Sequence, residues 1–518
     1  MKQAKSIFLV FLAINCFNLS NGQKLNENLD KGREVLRSIE KNTEHYFELT
    51  MEKGEFALVN LEQKGIDLMV ITYDPNEKKI EEFDSPNGSF GNELIVIDAY
   101  KSGKYLIKIL PLGEIKKEKK GSYAIKLISQ SNSIVSHLDK NFELIGKDNY
   151  LPGFFVSILN DEKILYTNGQ GFANIKDQKP YTIHTIQQIE SISKTFLGLS
   201  VMLLVEQGKL DLDKDINEYL PFKVNNPFFT EEPITIRHLA THTAAISDRD
   251  DFHQKFYWIE NKDVFSLNKN KYIHKERRKF YKSIFKNKKL SMEDFIKSYL
   301  VSNGKNYSKK NFLKQKPSTA WFYSNIGATL AAYIVQLVSE QSYDNFVEEH
   351  IIDALKLKHT TWGYNLEKQS FNALKYGGGK YEYPRITGPT YPDGGIYSNT
   401  IDLANYLMHW IKGYSGESTL LKKSSYQDIM KIQFEEKKGK YKGVKNGLFW
   451  WIFGGNRMGS NGGDMGSNSN MFFNPKLGVG YTSLQNVQSN ESDGGSIQTD
   501  RIKKILNRYL KFFSVDKE

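Results

Sequence analysis

The sequence predicts an α+β protein, with a small all-β sandwich first and then an antiparallel sheet flanked by helices and carrying a helical subdomain. Three observations predict it. Residues from about 28 to 130 follow a period of two, broken by turn residues. Strand patterns punctuated by glycine stand at both ends of the remaining chain, around a long helical middle, so distant pieces of chain must close one sheet. No alternating strand–helix–strand series and no repeat of solenoid length is present, which removes doubly wound and solenoid folds.

Taken in order, Lys2 and Lys5 precede the apolar run Ile7 to Ile14, and small or polar residues follow to Ser20-Asn21-Gly22. That is the pattern of a secretory signal peptide over 1–22, cleaved before Gln23. The run is too short to cross a bilayer, which takes ~20 apolar residues. A lipoprotein signal through Ala13-Ile14-Asn15-Cys16 is the rival, weakened by Asn15 where a small residue belongs. Cys16 is the one cysteine of the chain. The mature protein is therefore expected to be cysteine-free and exported, either periplasmic or secreted.

The sandwich is expected over 23–131. His45 to Met51 puts Phe47, Leu49 and Met51 on one face, and Asp67 to Tyr73 is a strand ending at the turn Asp74-Pro75-Asn76. Gly103 to Ile109 and Gly121 to Leu127 echo each other, separated by a loop with the basic run Lys116-Lys117-Glu118-Lys119-Lys120. The segment resembles the β-sandwich modules appended to secreted peptidases, of the pre-peptidase C-terminal type. It holds no catalytic pattern and reads as a stabilising or surface-binding appendage.

A polar link, Ser129 to Lys140, leads into the main unit, 132–518. Phe154 to Leu159 and Lys163 to Thr167 form a hairpin turning at Asn160-Asp161. Ser193 to Gly208 is a helix with Phe196, Leu199, Leu203 and Leu204 at helical spacing. Strands follow at Gly447 to Phe453, Ser469 to Phe473 and Leu477 to Leu484, and Ile502 to Phe513 closes the chain as an amphipathic helix.

Composition bounds the function classes. Apolar residues make up 39% of 518, and 39 glycines bring the apolar share into the globular range. The net charge of +11 invites a nucleic-acid reading. Yet 19 Lys/Arg against 7 Asp/Glu lie between Arg249 and Ser318, more than the whole excess, so the rest of the chain is near neutral. That segment, 249–318, is a basic helical insert in which Lys275-Glu276-Arg277-Arg278-Lys279 and Lys286-Asn287-Lys288-Lys289 interleave with Phe280, Tyr281, Ile284 and Phe285. A solvated amphipathic cap helix is the plain reading; engagement of an anionic envelope polymer or membrane surface is the sharper one. Nucleic acid is not expected for an exported chain.

Chemistry concentrates at Ser191-Ile192-Ser193-Lys194. Serine and lysine three residues apart on a helix lie on one face, a neighbouring amine can take the serine proton, and the helix N-terminus offers N–H groups to an oxyanion. Alone, such a pattern arises by chance on many helices. It is joined by Tyr323-Ser324-Asn325, which Trp321-Phe322 precedes and a Gly327-containing apolar helix follows. With Gly169 to Ala173, Leu204 to Asp213, Ile234 to Thr243 and Gly394 to Ala404, in that order, the chain over about 138–513 resembles the serine β-lactamase-related hydrolases. Its motifs are nearest those of class C β-lactamases and D-alanyl-D-alanine carboxypeptidases. The resemblance implies a β-lactamase/transpeptidase-like fold.

It also implies roles. Ser191 is the acylated nucleophile, Lys194 its partner in proton transfer, and Tyr323 the phenol that shuttles a proton. Asn325 holds Lys194 and orients substrate. The third motif of the family, Lys/His-x-Gly, falls on Ser460-Asn461-Gly462, so Ser460 replaces the cationic or imidazole residue. Gly463 is implied to supply an oxyanion N–H beside that of Ser191. Arg457 is the candidate substitute cation. Ala244-Ala245 stands where the family shows Ser-Gly. His238 and His242, at i and i+4, lack the glutamate of a zinc-binding His-Glu-x-x-His, and no metal or other cofactor is expected. Gly-x-Ser-x-Gly is missing, which argues against an α/β-hydrolase.

The expectation is an exported serine hydrolase forming an acyl-enzyme on a small-molecule or peptide substrate: an ester, a D-amino-acid amide or a β-lactam. Loss of the third-motif cation ranks esterase or peptidase chemistry above β-lactamase. The alternative is a non-catalytic envelope-binding protein, of peptidoglycan-like or other anionic polymer, on the same fold.

Overall fold

The computed structural model describes residues 26–112, 120–147, 150–260, 275–364, 369–377, 381–418, 420–488 and 495–514. The expected signal peptide and Lys116 to Lys119 lie outside the described residues. The chain divides into two compact units, Met1–Ser133 and Ile134–Glu518.

In the first unit two sheets face each other. One runs in the order Asn26–Asn28, His45–Met51, Gly103–Pro111, Leu68–Tyr73, Lys79–Phe83, and the other Glu34–Glu40, Lys120–Ser131, Phe56–Lys64, Phe90–Asp98. Pairing is antiparallel except between Asn26–Asn28 and its neighbour. The period-two residues meet between the sheets: Phe47, Leu49 and Met51 are buried in one core with Val35, Ile39, Val59 and Tyr123. The two echoing stretches are strands of different sheets, so the echo records a shared facing pattern rather than a pairing.

The second unit begins with helix α1, Ile134–Gly146, where the sequence suggests a polar link. The Ser-Asn-Ser at 131–133 conceals the helical spacing of Leu138, Phe142 and Ile145, all buried; the link shrinks to the residues between Ser131 and Ile134. Strands β1 (Gly153–Asn160) and β2 (Ile164–Asn174) form the expected hairpin. A single 3₁₀ turn, Glu190–Ile192, runs into helix α2, Ser193–Glu206. Helix α2 is buried almost all round, as befits a helix inside a large core.

The basic insert supplies helices α3 (Lys275–Ile284) and α4 (Met292–Leu300). Tyr281, Ile284, Phe295, Ile296 and Tyr299 are sunk into the main core, while Lys279, Lys282, Lys286, Lys288 and Lys289 are exposed. Helix α5 is Asn325–Ser339 and α6 is Thr400–Ser415. Strands β3 (Trp451–Phe453), β4 (Arg457–Asp464), β5 (Ser467–Asn474) and β6 (Val479–Gln485) follow, and helix α7, Gly495–Tyr509, ends in a 3₁₀ turn to Phe513.

Among the described residues these strands and three short ones form a nine-stranded sheet, with β2-β1-β6-β5-β4-β3 at its centre and every pairing antiparallel. The amino-terminal hairpin is thus completed by carboxy-terminal strands: Phe155 pairs Leu484 and Ser157 pairs Thr482. No helix among the described residues is long and apolar enough to cross a membrane.

Candidate active site

Three pieces of chain converge on Ser191. The first is its own turn. Glu190 sits at φ +51°, a left-handed conformation uncommon for a side chain of its size, and the 3₁₀ turn that it opens carries Ser191 to the start of α2. The second is the segment Trp321 to Asn325 entering α5, with Ser324 as N-cap donated to by the Gly327 N–H at 2.9 Å. The third is β4, which passes close beside the Ser191 turn. A Cβ at Gly462 would lie 2.3 Å from the Ile189 carbonyl oxygen, so glycine there is a steric requirement.

Lys194, 3% exposed, donates through Nζ to Ser191 Oγ at 3.1 Å, Asn325 Oδ1 at 2.8 Å and the Asp393 carbonyl at 2.7 Å. Tyr323 OH donates to Ser191 Oγ at 2.8 Å. Ser191, Lys194, Tyr323 and Asn325 are therefore one hydrogen-bonded group, although Ser191 and Tyr323 are 132 residues apart. Ser460, 2% exposed, lines the same small pocket with Ser191, Lys194, Tyr323, Phe449 and Trp451.

Gly463 is placed by the register of β4 against β5. Asp464 pairs Ser467 across the two-residue turn Met465-Gly466, and Gly463 pairs Asn468. The pair closing such a turn exchanges its hydrogen bonds and successive pairs alternate. The Gly463 N–H therefore points away from β5, toward the edge that β3 leaves uncovered beyond its last pairing at Gly459. Arg457 lies three positions from Ser460, on the opposite face of β4, and donates Nε to the Gly454 carbonyl at 3.3 Å. It does not replace the missing cation.

His242 and His238 have separate tasks. His242 Nδ1 accepts from the Ser324 N–H at 3.3 Å, and its ring centroid lies 4.5 Å from that of Tyr323. Burial, aided by the Lys194 charge, lowers the His242 pKa to about 3, so the ring is neutral. His238 Nδ1 accepts from the Thr235 N–H at 3.3 Å and closes a capping box. Ala245, where the resembling family shows glycine, takes φ +56° and is buried.

Several supporting residues carry no local signal in the sequence. Asp248 accepts from Ser324 Oγ at 2.7 Å and from the N–H groups of Asn325 and Ile326, capping α5 from 77 residues away. Glu190 and Lys375 form a buried ion pair at 2.9 Å; Lys375 also donates to Gln188 Oε1 at 2.6 Å, and Ser467 Oγ donates to Glu190. Trp451 stands nearly parallel to Tyr323, with centroids 6.0 Å apart, and adjoins Trp321 and His242, so one pocket wall is aromatic. Its place at the pocket could not be read from spacing, because β3 is short and its facing pattern is not periodic.

The chain is similar to several known proteins. In solved structures the chain is similar to an octameric penicillin-binding protein homologue from Pyrococcus abyssi, with a TM-score of 0.55 and 22% identity over 72% of this chain and 78% of that one. It is similar to a penicillin-binding protein from Bacillus halodurans, with a TM-score of 0.50 and 22% identity over 70% of this chain and 98% of that one. These likenesses bear out the expected β-lactamase/transpeptidase-like α+β fold. Among curated proteins it is 23% identical to Protein flp of Staphylococcus aureus over 54% of this chain and 49% of the other, and 23% identical to Penicillin-binding protein 4* of Bacillus subtilis over 55% and 52%. The chain thus spans about half the length of the curated relatives it matches. The family model described as Beta-lactamase matches residues 138–502, from within α1 to within α7, and so takes in every residue gathered around Ser191: the chain belongs to the Beta-lactamase family.

Proposed function

We propose that this protein is a serine hydrolase working through an acyl-enzyme on Ser191. The observation that carries the reading is the double hold on Ser191 Oγ, with Lys194 Nζ at 3.1 Å and Tyr323 OH at 2.8 Å. Ser191 Oγ attacks a carbonyl carbon while its proton passes to the Lys194–Tyr323 pair. The N–H groups of Ser191 and Gly463 receive the developing oxyanion. The same pair returns the proton to the leaving group, and water, activated in turn, cleaves the ester and frees Ser191.

The substrate class follows from the pocket wall. Ser460 offers a neutral hydroxyl where a cation would grip a substrate carboxylate, and Arg457 faces away. Trp451, Phe449 and Tyr323 offer apolar and aromatic surface instead. Esters and neutral amides with apolar acyl groups therefore fit better than β-lactams or D-alanyl peptides, whose free carboxylate would go unanswered. Export and an envelope role for the basic insert remain part of this reading, supported by the residue pattern of 1–22 and by the exposed lysines of 279–289.

The test is covalent labelling. A fluorescent fluorophosphonate should modify the peptide carrying Ser191, as located by mass spectrometry, and Ser191→Ala should abolish the adduct. Labelling on Ser193 or Ser324 instead would overturn the assignment of Ser191, and no labelling of the folded protein would count for the non-catalytic binding alternative.

A further inference from the structure

The hairpin joining the short strands Phe434–Glu435 and Lys445–Asn446 is fastened to the aromatic wall beside Ser191. Glu436 accepts the Trp321 N–H at 2.9 Å through Oε2, two residues before Tyr323, and the Lys438 N–H at 3.1 Å through Oε1. The Tyr441 ring packs edge-on against Trp321, with centroids 4.9 Å apart, and Trp321 in turn adjoins both Trp451 and Tyr323. The Gly443 N–H closes the loop onto the Glu436 carbonyl at 2.7 Å. The tip thus has a fixed place next to the site.

That tip is strongly basic. Lys437, Lys438, Lys440 and Lys442 fall within six residues, and all four are exposed. The two acids of the hairpin are engaged elsewhere. Glu435 pairs with Lys445 at 3.4 Å, and Glu436 is taken up by main-chain N–H groups, that of Trp321 foremost, which hold its carboxyl below the usual range. Among the described residues none of the four lysines forms an ion pair, and Lys440 Nζ lies 5.3 Å from the Tyr441 ring centroid. Ring contacts through Tyr441 and Trp321 therefore run from Lys440 to Tyr323. Grouped ammonium charges without acid partners attract anions, and here they do so at the edge of the pocket wall.

We propose that this basic tip is a binding surface for an anionic group that the substrate carries at a distance from its scissile bond. The proposal rests on the hydrolase reading of the site and narrows its substrate class. A neutral, apolar part of the substrate lies against Trp451 and Tyr323, and a negatively charged part extends past Trp321 to the lysines of 437–442. Ser460 leaves the inner pocket without a cation, so a carboxylate beside the reacting carbonyl goes unanswered, while one further out meets four ammonium groups. Exposed ammonium groups act mainly on encounter and orientation, drawing the charged end to the wall before the carbonyl reaches Ser191. Their effect is large in dilute salt and screened in concentrated salt.

The test compares two fluorophosphonates on the same alkyl linker, one ending in an oligoglutamate tail and the other in an oligoglutamine tail of equal length. With either, Ser191 Oγ bonds to phosphorus, fluoride leaves, and the serine proton passes to the Lys194–Tyr323 pair. At about 0.01 M salt the glutamate probe should label Ser191 about tenfold faster than the glutamine probe, and at about 0.5 M salt the two rates should converge. This salt comparison uses the native protein and needs no variant to fold. Lys437→Gln, Lys438→Gln, Lys440→Gln and Lys442→Gln made together should bring the ratio of the two rates to about one. Glutamine in place of Lys279, Lys282, Lys286, Lys288 and Lys289 should leave the native ratio. Equal labelling by both probes in dilute salt overturns the proposal, as does a preference that salt leaves untouched. So does a ratio that survives in the tip variant or is lost in the insert variant. In each of these outcomes the glutamine probe still labels Ser191, and the hydrolase reading stands. Absence of Ser191 labelling by the glutamine probe overturns that reading, and this proposal with it.

Discussion

His242 is a neutral ring sealed beneath Tyr323, and the seal has a cost that pH exposes. Its pKa falls from 6.5 to about 3 because burial, and then the Lys194 charge, disfavour the imidazolium. Folding therefore demands the neutral ring. Its contribution is whole above the unfolded-state value of 6.5 and is lost as pH falls from there toward 3, at about 1.4 kcal/mol per pH unit. Burial lowers His409 to about 4 and so adds a loss in the same window. His242→Asn keeps an oxygen able to accept the Ser324 N–H and tolerates the φ of +57° found here. Urea midpoints measured at about pH 7 and about pH 4.5 should show a clearly smaller drop for the asparagine variant. An equal drop in both proteins would place the acid sensitivity elsewhere.

At the scale of elements, the turn before α2 shows what local pattern can and cannot carry. The Ser-x-x-Lys spacing, the hairpin of β1 and β2 and the late strands were readable, because each is set by residues close together in the chain. Helix α1 was hidden because Ser and Asn mask its start, and its buried face mixes the polar His137 and Asn141 with Leu138, Phe142 and Ile145. The Glu190–Lys375 pair was unreadable in principle: its partners are 185 residues apart, and neither has a local feature that distinguishes it from a surface charge. Yet that pair pins the residue next to Ser191 in its left-handed conformation, while Ser467 and Ser469 tie the same turn to β5. Breaking one half of a buried pair leaves an unanswered charge, costing about 3–5 kcal/mol, whereas removing both halves is far milder. Lys375→Met should thus destabilise the protein in urea by about that amount, and adding Glu190→Gln should recover most of it. If the double variant is no better than the single, the pair does not act as a unit.

The whole molecule is two units with separate cores: Phe47, Val59, Tyr105 and Tyr123 in one, Phe196, Leu239, Trp410 and Phe473 in the other. Every residue gathered around Ser191, from Glu190 to Gly463, belongs to the second. Among the described residues that unit builds its sheet from its own strands, because β1, paired with β2 on one side, pairs on the other with β6 from the far end of the chain. A unit with its own core and a sheet built from its own strands meets the requirements for folding alone. A chain beginning at Ser133 should therefore fold cooperatively and label on Ser191 at the rate of the full protein. The basic insert stays in the shortened chain as well, with Tyr281 and Tyr299 buried in its core. Any binding to anionic vesicles or polymers that depends on 249–318 should thus survive removal of the sandwich, and binding that disappears would belong to residues 23–131. A well-folded shortened chain that labels tenfold more slowly would show that the sandwich shapes the site, and the division into a catalytic unit and an appendage would have to be given up.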